Sequence, residues 1–231
     1  MAKNGDIIAG KYEVLREIGH GGMSVVYLAM DTHLVNKQWA IKEFRKDKND
    51  SENMVAYQAL KNEANIMKKL DHPTLPRIVD IVDEQDTLYV IMDYIEGENL
   101  KEVLEKYGVQ SQENVIRWAK QLSEVLLYLH SQSPKVIYRD MKPANIMLKP
   151  DGSVRLIDFG IAREYKEGKK GDTTVVGTRE YAAPEQIQGT GQTDERTDIY
   201  SLGITLHHLV TGKSPAEPPY EIRPIRQYNR S

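Results

Sequence analysis

Asp140, Lys142 and Asn145 stand at offsets of zero, two and five in the run Tyr138-Arg139-Asp140-Met141-Lys142-Pro143-Ala144-Asn145, and Asp158-Phe159-Gly160 begins thirteen residues after Asn145. Taken singly, each carboxylate reads as an ordinary loop or turn residue. Taken together they have a definite chemical use. A carboxylate at 140 can hold a hydroxyl and take its proton. A cation at 142 can meet a transferring phosphate. The amide oxygen at 145 and the carboxylate at 158 are hard oxygen donors of the kind Mg²⁺ takes. Phosphoryl transfer asks little covalent chemistry of a protein; it asks for positioning and charge neutralisation, and these four residues can supply both.

A second group lies nearer the N-terminus. Gly19-His20-Gly21-Gly22-Met23-Ser24-Val25-Val26 approximates G-x-G-x-x-G-x-V, with Ser24 in the third glycine place and an extra glycine at 22. Glycines let backbone N–H groups approach phosphate oxygens with no Cβ in the way. A dinucleotide-binding loop would open a helix here. The β-branched pair Val25-Val26 follows instead, so the loop caps a hairpin and a dinucleotide-dependent oxidoreductase is disfavoured; a plain glycine turn is the bland alternative. Lys42 sits in Trp39-Ala40-Ile41-Lys42-Glu43-Phe44, a strand whose period of two puts Ala40 and Phe44 on its face. Glu63 falls on the stripe Leu60, Glu63, Met67, Leu70 of a helix expected to run to Leu70. A lone carboxylate among apolar positions is costly. Lys42 is the cation that would resolve it.

Holding these groups requires a sheet followed by helices. Residues 11–46 read as an antiparallel meander of three strands. Ile78–Val82 and Leu88–Met92 add two more, joined by the acidic turn 83–86. After Gly97 the pattern turns helical: 99–107, then 112–131 with Val115, Ile116, Ala119, Leu122, Leu126 and Leu129 as its apolar face, then about 198–211. Short strands flank 136–160. Pro215, Pro218, Pro219 and Pro224 close the tail from Gly212 to helix. With 231 residues, 40% apolar and 28% charged, the chain has material for a buried core and is not a disordered composition. Lys+Arg of 31 against Asp+Glu of 34 leaves a net charge of −3, without the basic excess of a nucleic-acid binder. The lack of cysteine excludes disulfides, thiolate metal sites and a Cys nucleophile. Neither a signal peptide nor an apolar run of ~18 residues is visible, so no membrane segment is expected.

With these motifs in place, the chain resembles the eukaryotic-type Ser/Thr protein kinases, and its Gly21-Gly22-Met23-Ser24 loop is most similar to the bacterial members. The likeness runs from Tyr12 to Thr211 in order: glycine loop, Lys42, Glu63, the Asp140 loop, Asp158-Phe159-Gly160, Ala183-Pro184-Glu185, and Asp198 before Ser201-x-Gly203. It implies a bilobal α+β fold. Residues 1–11 would be an N-terminal extension and 12–94 an N-lobe of five antiparallel strands and one helix. Residues 95–231 would be a partial, mainly helical C-lobe with a proline-rich tail from 212.

The resemblance also implies ATP, Mg²⁺ (Mn²⁺ as the alternative) and protein substrates. Gly19, Gly21, Gly22 and Ser24 would cover the phosphates. Val26, Ala40 and Met147 would pack on adenine, with Met92 as gatekeeper and the backbone of Asp93 to Ile95 hydrogen-bonding the base. Lys42, paired with Glu63, would hold the α- and β-phosphates. Asp140 would take the hydroxyl proton, Lys142 would contact the γ-phosphate, and Asn145 and Asp158 would ligate Mg²⁺. Lys142 and Gly177-Thr178 resemble the Ser/Thr-specific branch, with Thr178 bridging to Asp140 and Lys142. Thr173 and Thr174 are the expected autophosphorylation sites, with Arg139 as a phosphate partner. Tyr138 stands where most members have His, at a position expected to serve packing. In the family the C-lobe continues for several helices beyond 198–211, so a fragment, or a lobe whose missing helices a partner replaces, is expected, and an apolar surface left bare there would promote self-association as a homodimer. The implied location is cytoplasmic, free or as the cytoplasmic domain of a membrane-anchored receptor kinase. The alternative to an active kinase is a nucleotide-binding but inactive scaffold.

Overall fold

A computed structural model describes residues 1–21, 24–158, 180–188, 193–218 and 221–228, and the backbone of 163–164. The chain divides into two units, Met1–Asp71 with Pro76–Ile95, and His72–Leu75 with Glu96–Ser231.

In the first unit, apolar alternation produces strands β1 (Ile7–Ile8), β2 (Tyr12–His20), β3 (Ser24–Asp31) and β4 (Gln38–Arg45), then helix α1 (Ser51–Met67), then β5 (Ile78–Glu84) and β6 (Thr87–Asp93). All pair antiparallel in the order β1-β2-β3-β4-β6-β5. The five expected strands are present. The short β1 joins as a sixth at the edge, drawn from residues expected to be an extension. Asp31 closes the turn after β3. Its Oδ1 accepts from the amides of His33 (2.9 Å) and Leu34 (3.0 Å), and its Oδ2 from the Trp39 indole (3.1 Å). Gln85 and Asp86, with φ of 47° and 64°, form the two-residue turn between β5 and β6; positive φ at both centres matches the twist of the strands. Asp50 caps α1 by accepting from the amides of Glu52 and Asn53. The helix stops at Met67, short of the expected Leu70, because the next amides turn back three residues: Lys69 to Ile66 and Leu70 to Met67. One face of the sheet carries a core of Tyr12, Val14, Val25, Tyr27, Ala29, Trp39, Ile41 and Ile91.

In the second unit, β7 (Glu98–Asn99) leads into α2 (Leu100–Tyr107) and α3 (Gln112–His130). Then come β8 (Val136–Ile137), β9 (Ile146–Leu148), β10 (Val154–Leu156), β11 (Arg163–Glu164), α4 (Pro184–Gln188) and α5 (Glu195–Thr211). Gly97, at φ 148°, lets the chain pass Leu148, whose carbonyl oxygen would clash with any Cβ there. A capping box of Asn99 and Glu102 starts α2. α3 buries Val115, Trp118, Leu122, Val125, Leu126 and Leu129. That corrects the expected face: Ile116 is exposed because the stripe runs through 115, 118, 122 and 125 at the helical period. α5 starts three residues earlier than expected, at its Asp194 cap, and is buried on most sides, as a helix inside a core is. Among the described residues no helix is long and apolar enough to cross a membrane.

Candidate active site

The segment from Tyr138 to Asn145 is irregular, and an irregular segment needs partners for its backbone. One side chain supplies them. Asp198 of α5, wholly buried, accepts from the Tyr138 amide (2.9 Å, Oδ2) and the Arg139 amide (2.7 Å, Oδ1). His130 Nε2 lies 2.7 Å from the same Oδ2; a carboxylate only accepts, so the ring presents its N–H there. Arg139 has a φ of 72°, a strained conformation for a residue with a Cβ, and the two carboxylate bonds hold the chain in it. Three further contacts complete the support. Gln186 Nε2 donates to the Arg139 carbonyl (2.9 Å), Gln186 Oε1 accepts from the Ala183 amide (3.1 Å), and the Thr205 hydroxyl donates to the Met141 carbonyl (3.1 Å).

The loop so held presents a polar cluster. Asp140 Oδ2 lies 2.8 Å from Lys142 Nζ and accepts from Asn145 Nδ2 at 2.8 Å; the same Nδ2 also donates to the Asp140 carbonyl at 3.0 Å. Pro143–Asn145 form one 3₁₀ turn, with the Asn145 amide bonded to the Lys142 carbonyl. This short turn places positions 140, 142 and 145 around one point. Asp140 and Lys142 are partly accessible, while Asn145 is buried.

Asp158 is brought to the same end of the unit. β9 and β10 pair Ile146 with Leu156, and the Ile157 amide donates to the Asn145 carbonyl at 2.9 Å. Asp158 is exposed at φ 57°. The Tyr138 hydroxyl donates to the carbonyls of Ile157 (2.9 Å) and Asp158 (3.2 Å). The expected packing role of Tyr138 is met by a wholly buried ring, and its hydroxyl adds a tether on the metal-ligand candidate.

Among the described residues no group of three or more His, Cys, Asp or Glu is arranged to hold a metal ion by itself. The donor set still fits Mg²⁺. With Asn145 Nδ2 donating to Asp140, Oδ1 is the atom the amide would offer a cation, and Asp158 adds a carboxylate. Mg²⁺ is commonly held by one or two such groups plus phosphate oxygens and water.

The first unit gathers the other candidates on one sheet face. In register, Val26 lies opposite Lys42 and Leu28 opposite Ala40, while Lys42 lies opposite Val90 and Ala40 opposite Met92. Residues opposite one another or two apart share a face, so Val26, Ala40, Lys42 and Met92 stand together, opposite the core described above. The hairpin loop closes through the Gly21 amide to the Ser24 carbonyl at 2.7 Å. Among the described residues, chain neighbours aside, no atom lies within 4 Å of where a Cβ would stand at Gly19, open space of the kind a phosphate-approaching backbone needs. Glu63 is buried on α1, and neither it nor Lys42 lacks a partner. The Asp93 amide donates to the Arg77 carbonyl (3.1 Å), and its carboxylate accepts from Arg77 Nε (3.1 Å). Burial raises the Asp93 pKa, but Arg77 and Lys37 outweigh it and hold it below the usual carboxylate range. Ile95 is half-buried at the end of the first unit, and Met147 pairs with Asn99 and Arg155 in the second. Gly22, Thr173, Thr174 and Thr178 lie outside the described residues.

Sequence reading noted Asp198 only as a motif position and missed its role, along with Gln186 and Thr205. The sequence offered only a weak signal, a carboxylate one turn into a helix that is mostly apolar and small beyond it. Glu185 has a partner the sequence did not suggest: it accepts from the Thr197 hydroxyl at 2.6 Å.

Residues 12–227 match the protein kinase domain family. A probable serine/threonine-protein kinase of Clostridium acetobutylicum is 35% identical over 221 residues, covering 94% of this chain and 33% of the relative. Serine/threonine-protein kinase PrkC of Bacillus subtilis is 36% identical over 213 residues, covering 91% and 32%. A probable serine/threonine-protein kinase PknB of Lactococcus lactis is 33% identical over 217 residues, covering 93% and 34%. The chain therefore spans about a third of the length of these curated relatives.

Proposed function

Because the chain belongs to the protein kinase domain family, we propose that it is an ATP-dependent protein serine/threonine kinase that moves the γ-phosphoryl group of ATP to Ser/Thr hydroxyls of proteins. The observation that most supports this is the Asp140 carboxylate oxygen, met at 2.8 Å by both the Lys142 ammonium and the Asn145 amide. Asp140 holds the substrate hydroxyl and takes its proton while the oxygen bonds to phosphorus and the bond to the β–γ bridging oxygen breaks. Lys142 exchanges part of its interaction with Asp140 for the transferring phosphoryl group and offsets its charge. Asn145 keeps Asp140 oriented through Nδ2 and offers Oδ1 to a cation. Asn145 and Asp158 would hold Mg²⁺, which when bound would supply charge neutralisation on the phosphate oxygens. Lys42, paired with Glu63, binds the α- and β-phosphates, and the glycine loop covers them. Val26, Ala40, Met92 and Met147, with the backbone of Asp93 to Ile95, receive the adenine.

The proposal extends to autophosphorylation at Thr173 and Thr174, a bridging role for Thr178, self-association, and a cytoplasmic location, free or as part of a membrane-anchored protein. The test is label transfer from Mg·ATP to a generic protein substrate. A positioned general base contributes roughly 10²–10⁴-fold, so Asp140→Asn should lower transfer by at least about 100-fold. Undiminished transfer in that variant contradicts the assignment.

A further inference from the structure

α1 is pressed onto its unit by Tyr57, Leu60, Ala64 and Met67, and Glu63 rides in the same buried stripe. Apolar contacts are non-directional. They hold a helix down without fixing how far it slides or rolls, and hydrogen bonds must do that. At the first turn Asn53 does so: its Nδ2 donates to the Arg45 carbonyl (3.1 Å) and its Oδ1 accepts from the Asp47 amide (2.8 Å). That anchor lies ten residues, about 15 Å of helix, before Glu63.

A second anchor lies much nearer and converges on one carboxylate, Asp83 of β5. Lys61 Nζ donates to Asp83 Oδ2 at 2.7 Å, and the Tyr57 phenol lies beside the same carboxylate, near enough for each to shift the other's titration. Positions 57 and 61 are one helical turn apart, so both reach one point from one face. The Tyr57 ring is itself bracketed, by Phe44 at 6.1 Å between centroids and by Lys46 Nζ at 4.8 Å from its centre. Lys61 and then Tyr57 hold Asp83 below the usual carboxylate range. Burial first, and the neighbouring Asp83 carboxylate next, push the Tyr57 phenol up to about 12.

We propose that Asp83 is a positioning residue that, through Tyr57 and Lys61, sets the register and roll of α1 and so the place of Glu63 relative to Lys42. Its consequence for catalysis rests on the kinase reading; its geometry does not. The Lys61–Asp83 pair is more than a third exposed on both sides, so it adds little to overall stability. Its loss should appear as a displaced helix rather than an unfolded protein.

The test compares the unaltered chain with Asp83→Ala, Asp83→Asn and Tyr57→Phe. Hydrogen exchange of the α1 amides from 57 to 67 should rise by about tenfold in Asp83→Ala, with α3 unchanged and the melting temperature lower by only a few degrees. With Mg·ATP and a peptide substrate, kcat should fall about tenfold while KM for the peptide stays within twofold. Asp83→Asn, which keeps an acceptor for the Tyr57 hydroxyl, should recover most of both losses, and Tyr57→Phe should reproduce part of them. Unchanged exchange at 57–67 in Asp83→Ala overturns the proposal, as does a loss confined to KM for the peptide. If the unaltered chain transfers no phosphate, the kinase reading fails and the exchange measurement alone still decides the anchor.

Discussion

Two carboxylates anchor the two halves of the proposed machinery, and they do it in opposite ways. Asp198 is wholly buried and orders the loop before Asp140 by taking two backbone amides and an imidazole. Asp83 is exposed and orders α1 through one phenol and one ammonium. A buried carboxylate with its acceptor sites filled is expensive to disturb, because removing it orphans donors that water cannot reach. An exposed one is cheap to disturb, because water replaces what is lost. The comparison indicates a permanently set loop in the second unit and an adjustable helix in the first. Such adjustability would suit a helix that, on the kinase reading, carries Glu63 to Lys42.

The largest expected effect is on the buried side. Asp198→Ala leaves the Tyr138 and Arg139 amides unsatisfied, at roughly 1–3 kcal/mol each. Denaturant unfolding should show a loss of at least about 2 kcal/mol, with phosphate transfer lost as well. A variant as stable as the unaltered chain would break the comparison.

Asp31 separates burial from location, since it is a buried carboxylate in the first unit. Burial raises its pKa, but the Trp39 indole, the His33 and Leu34 amides and Lys11 outweigh that and bring it down to about 2. A folded pKa below the unfolded 3.8 means stability that is present above that value and lost as pH falls toward 2. The melting-temperature gap between the unaltered chain and Asp31→Asn should therefore be full at pH 5 and close as pH drops to 2. A gap independent of pH would remove Asp31 from the buried class.

Tyr138→Phe comes next. It deletes one buried hydroxyl from the Ile157 and Asp158 carbonyls and should cost about 1 kcal/mol, read as stability and as a higher Mg²⁺ requirement for transfer. Smallest is Lys61→Ala, expected to cost less than about 0.5 kcal/mol of unfolding free energy while loosening α1 by exchange. A large stability loss there would erase the contrast between the two anchors.

What the sequence made legible follows from the range of each interaction. The Asp140 loop, Asp158, the glycine hairpin and the strand bearing Lys42 are local patterns, readable from spacing. The two-residue turn at 85–86 and the edge strand at 7–8 depend on backbone choices that residue types suggest only weakly. The α3 face was misread at Ile116 because apolar residues there exceed what one stripe can bury, and Trp118 and Val125 took the places inside. Asp198 was the hardest to read. Its partners are main-chain amides about sixty residues away, and no side-chain pattern announces a bond to a backbone that is irregular only because the bond exists.

The most direct test of the central claim measures binding and transfer together on one variant. In Asp140→Asn the account predicts Mg·ATP affinity within about threefold of the unaltered chain, because Asp140 acts on the substrate hydroxyl, while phosphate transfer falls by at least about 100-fold. Transfer retained at the unaltered rate would contradict the account, as would loss of Mg·ATP affinity in step with loss of transfer.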